Sequence, residues 1–380
     1  MDYILEPELY QKVFYGIILV LCIIAGSSRL GMSNSALISG SRNHIYQAWI
    51  LFFAVTLFIG LRPPVEAFGD TIGYVRAFLT QSFSRKISNG EWFWASINQT
   101  VYRAGGGWAM CSLIIACFYV GGVFMACRRW FKDNVYVAML FVMGLFSFFS
   151  FGVNTIRNGV ALSLVMAGMS VCLDSPMNKI RIKPLCIALI LFLLALSTHK
   201  TAALPASCFL VSLFFLKDIK ISLCVWVAML IFSLMFGNIA VTYIEEFGFD
   251  DRLDRYIDAG RNARAMAKGF SHTGFRWDFL LYGIMPILMG WFVIVKKRVR
   301  DRTYIVLTNT YILANAFWLL AIRAAHTDRF AYLSWFIYGI ILAYPLLRLN
   351  VFKNQPKALF IILMGCIFST WAFLVMWSLR

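Results

Sequence analysis

Three short polar turns in an otherwise apolar chain carry residue types that do chemistry. The first runs from Gly152 to Gly159 and sets Arg157 at the mouth of a hydrophobic run. A guanidinium inside a membrane span costs several kcal/mol unless it faces a polar cavity or a partner, so an anion or a carboxylate should meet it. The plain alternative is that Arg157 snorkels to the interface. The second turn is His199-Lys200-Thr201, followed by Pro205. An imidazole there can exchange a proton at physiological pH, or it can be a hydrogen-bonded structural group. The third holds Arg323, His326, Asp328 and Arg329 within seven residues, with Tyr332 one helical step further on. A local ion pair would explain it simply, but an exposed pair contributes at most about 1 kcal/mol.

Two longer polar segments, about 62–106 and 245–276, add to these. The first opens Arg62-Pro63-Pro64 and continues Gly69-Asp70-Thr71, Tyr74, Arg76 and Phe78. Asp70, Tyr74 and Phe78 recur at helical spacing, which predicts a short helix showing a carboxylate, a phenol and a ring on one face. The segment ends in Glu91-Trp92-Phe93-Trp94. These rings suit an interfacial aromatic belt or a sugar-stacking surface. Glu91 among them is open to desolvation, which raises a carboxylate pKa toward the range of a general acid or base. In the second segment Leu253, Tyr256 and Ile257 form an apolar stripe, predicting a short helix on the membrane surface. The nearby Asp250, Asp251 and Asp254 alternate with Arg252 and Arg255, which argues against a divalent metal. Arg261, Arg264, Lys268, His272 and Arg276 make a basic run suited to covering an anionic ligand.

The elements that must position these groups are membrane helices. At 61% hydrophobic and 14% charged residues, with a mean hydropathy of +0.74, the chain is too apolar for a soluble domain. A bilayer core of about 30 Å takes roughly 20 apolar residues per helix. Runs near that length recur throughout, and the reading is an all-α, polytopic integral membrane protein with about 12 spans (11–13) in a single transmembrane domain over residues 1–380. Asp2, Glu6 and Glu8 stand where a signal peptide would be basic, so the first run reads as a retained span. Short interfacial helices are expected in the two polar segments.

Orientation follows from Lys and Arg in the short loops. Alternate loops, from Arg29 and Arg42 to Arg348, Lys353 and Lys357, hold 18 of the 35 basic residues against four acidic ones, a net of +14. The opposite face is left with +3, and it carries all three chemical turns and both long segments. Both termini then lie outside. Because the +17 total is mostly a topology signal, it gives no reason to invoke nucleic acid. The nine cysteines lie in apolar runs without CxxC spacing, so neither a disulfide nor a metal cluster is expected. No inverted repeat of the transporter type stands out.

Taken in order, Arg62, Gly69-Asp70-Thr71 with Tyr74 and Phe78, Glu91, Asn154-x-x-Arg157, His199-Lys200-Thr201-Ala202, Arg329 and Tyr332 resemble the signature of EpsG-type, Wzy-like polysaccharide polymerases. Two departures are the prolines after Arg62 and Trp92-Phe93 where Pro-Gly is usual. The resemblance implies a bacterial inner-membrane, metal-independent, inverting glycosyltransferase that needs no cofactor. It would move a growing glycan from polyprenyl diphosphate to a hydroxyl of the next lipid-linked repeat at the periplasmic face. Donor and acceptor oligosaccharides on polyprenyl diphosphate, the bilayer, and a chain-length regulator and flippase of the same pathway are the partners implied. In that scheme Arg157, Arg323 and Arg329 are candidates for holding the diphosphate, since Arg carries a permanent charge and a bidentate fork. His199, Glu91 and Asp70 are candidate bases, His199 first. Arg62, Tyr74, Asn154, Lys200, Tyr256 and Tyr332 are candidate substrate contacts. An O-antigen ligase-type transferase would use the same donor. A flippase would spread charge through the depth of the spans, and a scaffold subunit would leave the external Arg and His without a task.

Overall fold

A computed structural model describes residues 5–83, 87, 89–173, 181–246, 274–324 and 327–378. All regular elements among them are helical. The chain divides into two compact units, Met1–Ala202 with Leu342–Arg380, and Ala203–Ile341.

The first unit contains α1 (Tyr10–Ser27), α2 (Asn34–Ser39), α3 (Asn43–Gly60), α4 (Thr71–Leu79), α5 (Trp92–Arg103), α6 (Trp108–Phe131), α7 (Val135–Met143), α8 (Phe146–Val153), α9 (Ile156–Cys172) and α10 (Ile182–Leu196). Every residue of α9 is buried, and its principal neighbours are α6 and α10. Small residues permit this packing. A Cβ on Gly122 of α6 would lie 2.6 Å from the Ser163 carbonyl oxygen of α9, so only glycine lets the two helices approach this closely. Ser163 Oγ then donates to the Tyr119 carbonyl at 2.6 Å. Outward faces are apolar instead: α1 and α3 expose Ile17, Val20, Ile24, Ile50, Phe53 and Leu57, as lipid contact requires.

Between α7 and α8 the helix breaks at Gly144-Leu145, which would strand carbonyls in hydrocarbon. Two side chains prevent that. Thr370 Oγ1 donates to the Gly144 carbonyl at 2.6 Å, and the Tyr15 hydroxyl donates to that of Leu145 at 2.7 Å. Thr370 belongs to the last helix, α17 (Gln355–Ser378), which packs on α1.

The second unit contains α11 (Ala203–Phe214), α12 (Lys220–Glu246), kinked at Phe236, α13 (Trp277–Gly290), α14 (Arg302–Leu320) and α15 (Thr327–Trp335). The division between units falls inside α16 (Tyr338–Leu347). Helix α14 is the hub, packed by α11, α12, α13 and α15. Its polar side chains bond sideways: Asn309 Oδ1 accepts from Ser222 Oγ at 2.6 Å, and Asn315 Oδ1 accepts from Trp226 Nε1 at 2.8 Å. Asn315 Nδ2 donates to Ser334 Oγ at 3.1 Å, and Trp318 Nε1 donates to Thr327 Oγ1 at 2.9 Å.

Eight described helices are long and apolar enough to cross a bilayer, or nine if the pair α8 and α9, bent by 116°, is one span. Ile182–Leu196 and Lys200–Phe214 are shorter apolar helices. The other runs of the expected twelve are broken or merged where the chain turns, at Lys132, Gly144 and Asn154. The helix expected after Asp70 is α4. The one expected around Tyr256 lies outside the described residues.

Candidate functional site

Within the first unit, the C-terminal ends of α3, α8 and α10 meet the N-terminal ends of α4, α5, α6 and α9. Arg62, two residues beyond α3, ties several of them together. Its Nη1 donates to the Ile59 carbonyl at 2.6 Å and to Ser112 Oγ at 3.3 Å. Its Nη2 donates to Thr71 Oγ1 at 3.0 Å and to the Val153 carbonyl at 3.3 Å. Burial to 4% exposure pulls the guanidinium pKa down to about 10, which still leaves it charged at neutral pH. These four bonds go to the protein, so Arg62, a candidate substrate contact by sequence, sits here as a brace between helix ends.

The next link is a glycine turn. Gly69 has φ of +59°, a region that L-residues seldom occupy, and a Cβ there would run into Asn154 Oδ1. The same oxygen accepts the Asp70 N–H at 2.9 Å. Asn154 therefore holds the turn that begins α4. One helical turn on, the Tyr74 ring centre lies 5.8 Å from the Arg157 guanidinium carbon and meets the Trp94 ring edge-on at 5.5 Å.

Arg157 stands in the first turn of α9, and Glu91 immediately precedes α5. Both Glu91 carboxylate oxygens accept from Arg157 Nη1, at 2.6 and 2.5 Å. Each side chain is only 9% exposed, so Arg157 does not snorkel and Glu91 is not an isolated carboxylate among rings. Glu91 is held in place because α5 is capped by α10: the Phe93 N–H donates to the Ser197 carbonyl at 3.1 Å. Arg157 keeps one more resource. Its Nε is buried and has no hydrogen-bond partner among the described residues.

His199 follows that capping turn. Its Nδ1 lies 2.9 Å from Thr201 Oγ1 and 3.3 Å from the Thr201 N–H, and Thr201 Oγ1 lies 3.1 Å from Asn158 Oδ1. Asn158 is the residue after Arg157, so the imidazole and the ion pair share the start of α9. Lys200 is exposed. Arg62, Asp70, Tyr74, Glu91, Asn154, Arg157 and His199, spread over 138 positions, are thus joined through side-chain and backbone contacts at one end of one unit.

The remaining candidates lie in the second unit or beyond the described residues. Arg323, half-buried in the turn after α14, has its guanidinium carbon 5.4 Å from the Phe275 ring centre. Arg329 and Tyr332 are in α15, where Tyr332 is 2% exposed and packs against Trp335. Tyr256 and His326 fall outside the described residues.

Three residues at the site drew no role from sequence. Thr71 and Thr201 bond inward through hydroxyls, and Asn158 is the amide that meets Thr201. No local pattern signals the Thr201 bonds, because its hydroxyl meets the His199 ring and the Asn158 side chain, 43 positions away, rather than a nearby backbone N–H.

No curated protein and no solved structure matches the chain. The EpsG family model matches residues 45–380, taking in every candidate residue named above. This multi-pass membrane protein therefore belongs to the EpsG family, which supports a function of the polysaccharide-polymerase type.

Proposed function

We propose that the protein is a polysaccharide polymerase that transfers a growing glycan from polyprenyl diphosphate to a sugar hydroxyl of the next lipid-linked repeat, with inversion, at the periplasmic face of the inner membrane. The observation that carries this reading is the buried Glu91–Arg157 pair with its spare Nε donor, set among Tyr74, Asp70 and His199. In the transfer, the bond from the anomeric carbon to the phosphate oxygen breaks and its electron pair stays on the diphosphate. The acceptor oxygen forms the new bond, and its proton passes to a base drawn from His199, Glu91 and Asp70. Arg157 neutralises the departing charge, a task its bidentate fork suits. Diphosphate arriving at Arg157 competes with Glu91. A carboxylate released from its guanidinium in a dry aromatic site becomes a stronger base, so donor binding and base activation are coupled. Tyr74, half-buried and braced edge-on by the buried Trp94, offers a ring for sugar stacking.

An apolar groove supports the reading of a prenyl-linked donor. It measures about 280 Å³ and runs along the first unit between α1, α3 and α7, from Gln47 and Tyr136 to Phe14 and Phe58. Phe58 and Phe14 touch one another, and Tyr10 bridges Phe58 to Phe68, which lies beneath Arg62. The groove therefore leads toward the polar cluster.

The test is reconstitution. Purified protein in liposomes, given a synthetic polyprenyl-diphosphate repeat unit, should yield a ladder of longer products and free lipid diphosphate. A single addition to a non-repeat acceptor would mark a ligase instead. Folded protein that yields neither product would end the transferase reading.

A further inference from the structure

Helix α5 starts deep and shows polar side chains outward. It begins directly after Glu91 and pairs with α6 as an antiparallel hairpin: the Phe93 and Phe118 rings lie 5.6 Å apart, and Cys111 Sγ donates to Asn98 Oδ1 at 3.4 Å. Residues 104–107 make the turn between them. Phe118 is ten positions beyond Trp108, so at 1.5 Å per residue the Glu91 end of α5 lies about 15 Å along α6 from its first residue. That is about half of a bilayer core.

The inward face of α5 is Trp94, Ala95, Asn98 and Val101, all buried. The opposite stripe is Trp92, Ser96, Thr100 and Arg103, all exposed. It climbs from the depth of Phe118 toward the turn and carries one indole, two hydroxyls and a guanidinium. Over the same stretch α6 exposes Met110, Cys117 and Phe118, as a lipid-facing helix does. Polar side chains at such depth belong in a water-filled cleft. The stripe also has the chemistry that holds sugars. Trp92, 48% exposed and braced edge-on by Phe93 at 6.2 Å, offers a stacking face. Ser96 Oγ donates to the Trp92 carbonyl at 2.7 Å, which leaves its lone pairs for a sugar hydroxyl.

We propose that this stripe is a glycan track, along which the sugars behind the reacting one leave Glu91 and Arg157 for the membrane surface. The proposal rests on the polymerase reading only for the identity of the occupant, the growing glycan on its lipid carrier. Twelve residues give the track a length of about 18 Å, more than the reacting sugar alone would need. Its contribution therefore grows with the length of the bound chain.

Two measurements on the full chain test this. The first is access of water. Ser96→Cys and Thr100→Cys in liposomes should react with a charged maleimide at least about 10-fold faster than the wild type, whose exposed Cys117 on α6 supplies the lipid-facing background. A free oligosaccharide two repeats long, without lipid, should slow that labelling. Labelling no faster than the background means that lipid covers the stripe and overturns the proposal. Labelling that the oligosaccharide leaves unchanged overturns the glycan as occupant. The second measurement is extension. Ser96→Leu and Thr100→Leu should slow transfer from a donor several repeats long by about 3- to 10-fold, and transfer from a single repeat by less. Trp92→Ala should show the same length dependence, and Trp92→Tyr should restore most of the rate. On a lipid-covered face leucine would cost nothing, so no loss, or an equal loss at both lengths, overturns the track. Should the wild type make no ladder, the polymerase reading falls by itself, because labelling and its protection still report the track.

Discussion

The unit formed by Met1–Ala202 and Leu342–Arg380 buries a glutamate against an arginine, whereas α14 of the other unit buries asparagines and a tryptophan against serines, a threonine and an indole. Neutral polar glue of the second kind is the ordinary way for membrane helices to associate, at about 0.6 kcal/mol per bond. A buried ion pair is different, because desolvating two charges can cost as much as their attraction returns. The second unit does hold an ion pair, Arg276 with Asp278, but the aspartate is 29% exposed and the two residues are only two positions apart. Glu91 and Arg157 are 66 positions apart and reach each other only because α5 and α9 begin side by side. A fold that already has neutral glue gains little stability from such a pair, which is why the proposed function places the pair in the chemistry.

That contrast can be broken most severely at Arg157. Arg157→Ala should abolish polymer, a loss of about 1,000-fold or more, and should cost about 3–5 kcal/mol by stranding Glu91. Ladder formation and thermal unfolding in detergent report the two effects separately. The double variant Glu91→Leu with Arg157→Met sharpens the point: stability should return to near the wild-type value while activity stays absent. Recovery of both would make the pair structural. Arg62→Leu removes the brace and should lower stability by about 2–4 kcal/mol, with a partial loss of rate in the protein that still folds. Gly69→Ala should cost about 1–2 kcal/mol through its positive φ and loosen the Asp70 turn, lowering rate several-fold. The smallest effect belongs to the neutral network: Asn309→Leu should cost about 1 kcal/mol and leave the rate per folded molecule unchanged. A large rate loss there would dissolve the distinction between the two units.

How much of this could be read beforehand depends on the range of each interaction. The helix after Asp70 was legible because Tyr74 and Phe78 recur at a local period, and α4 occupies Thr71–Leu79. The need of Arg157 for an anionic partner was legible from the cost of charge in hydrocarbon. Its identity was not, because nothing local links Glu91 to Arg157. The roles expected of them, diphosphate holder for Arg157 and candidate base for Glu91, fall on two residues that are bonded to each other. Arg62 and Asn154 show the same limit. Their types suit a ligand, but the ends of α3 and α8 claim their hydrogen bonds first. Breaks inside apolar runs were equally hidden, since the carbonyls at Gly144-Leu145 are met by the distant side chains of Thr370 and Tyr15 as well as by the Phe148 N–H of the next helix.

By itself the sequence determined the solvent and set an expectation for the side. Composition demands a membrane, run lengths demand helices, and the placement of Lys and Arg leaves one face whose arginines need another explanation. These are sums over many residues or patterns along one helix, and they survive without knowledge of contacts. Tertiary structure alone decided which groups touch: that Glu91 closes on Arg157, that Asn154 pins Asp70, and that the Thr201 backbone faces Nδ1 of His199. Chemistry at the site depends on those few distances. They are fixed by how helix ends pack against one another, and no period in the sequence encodes that.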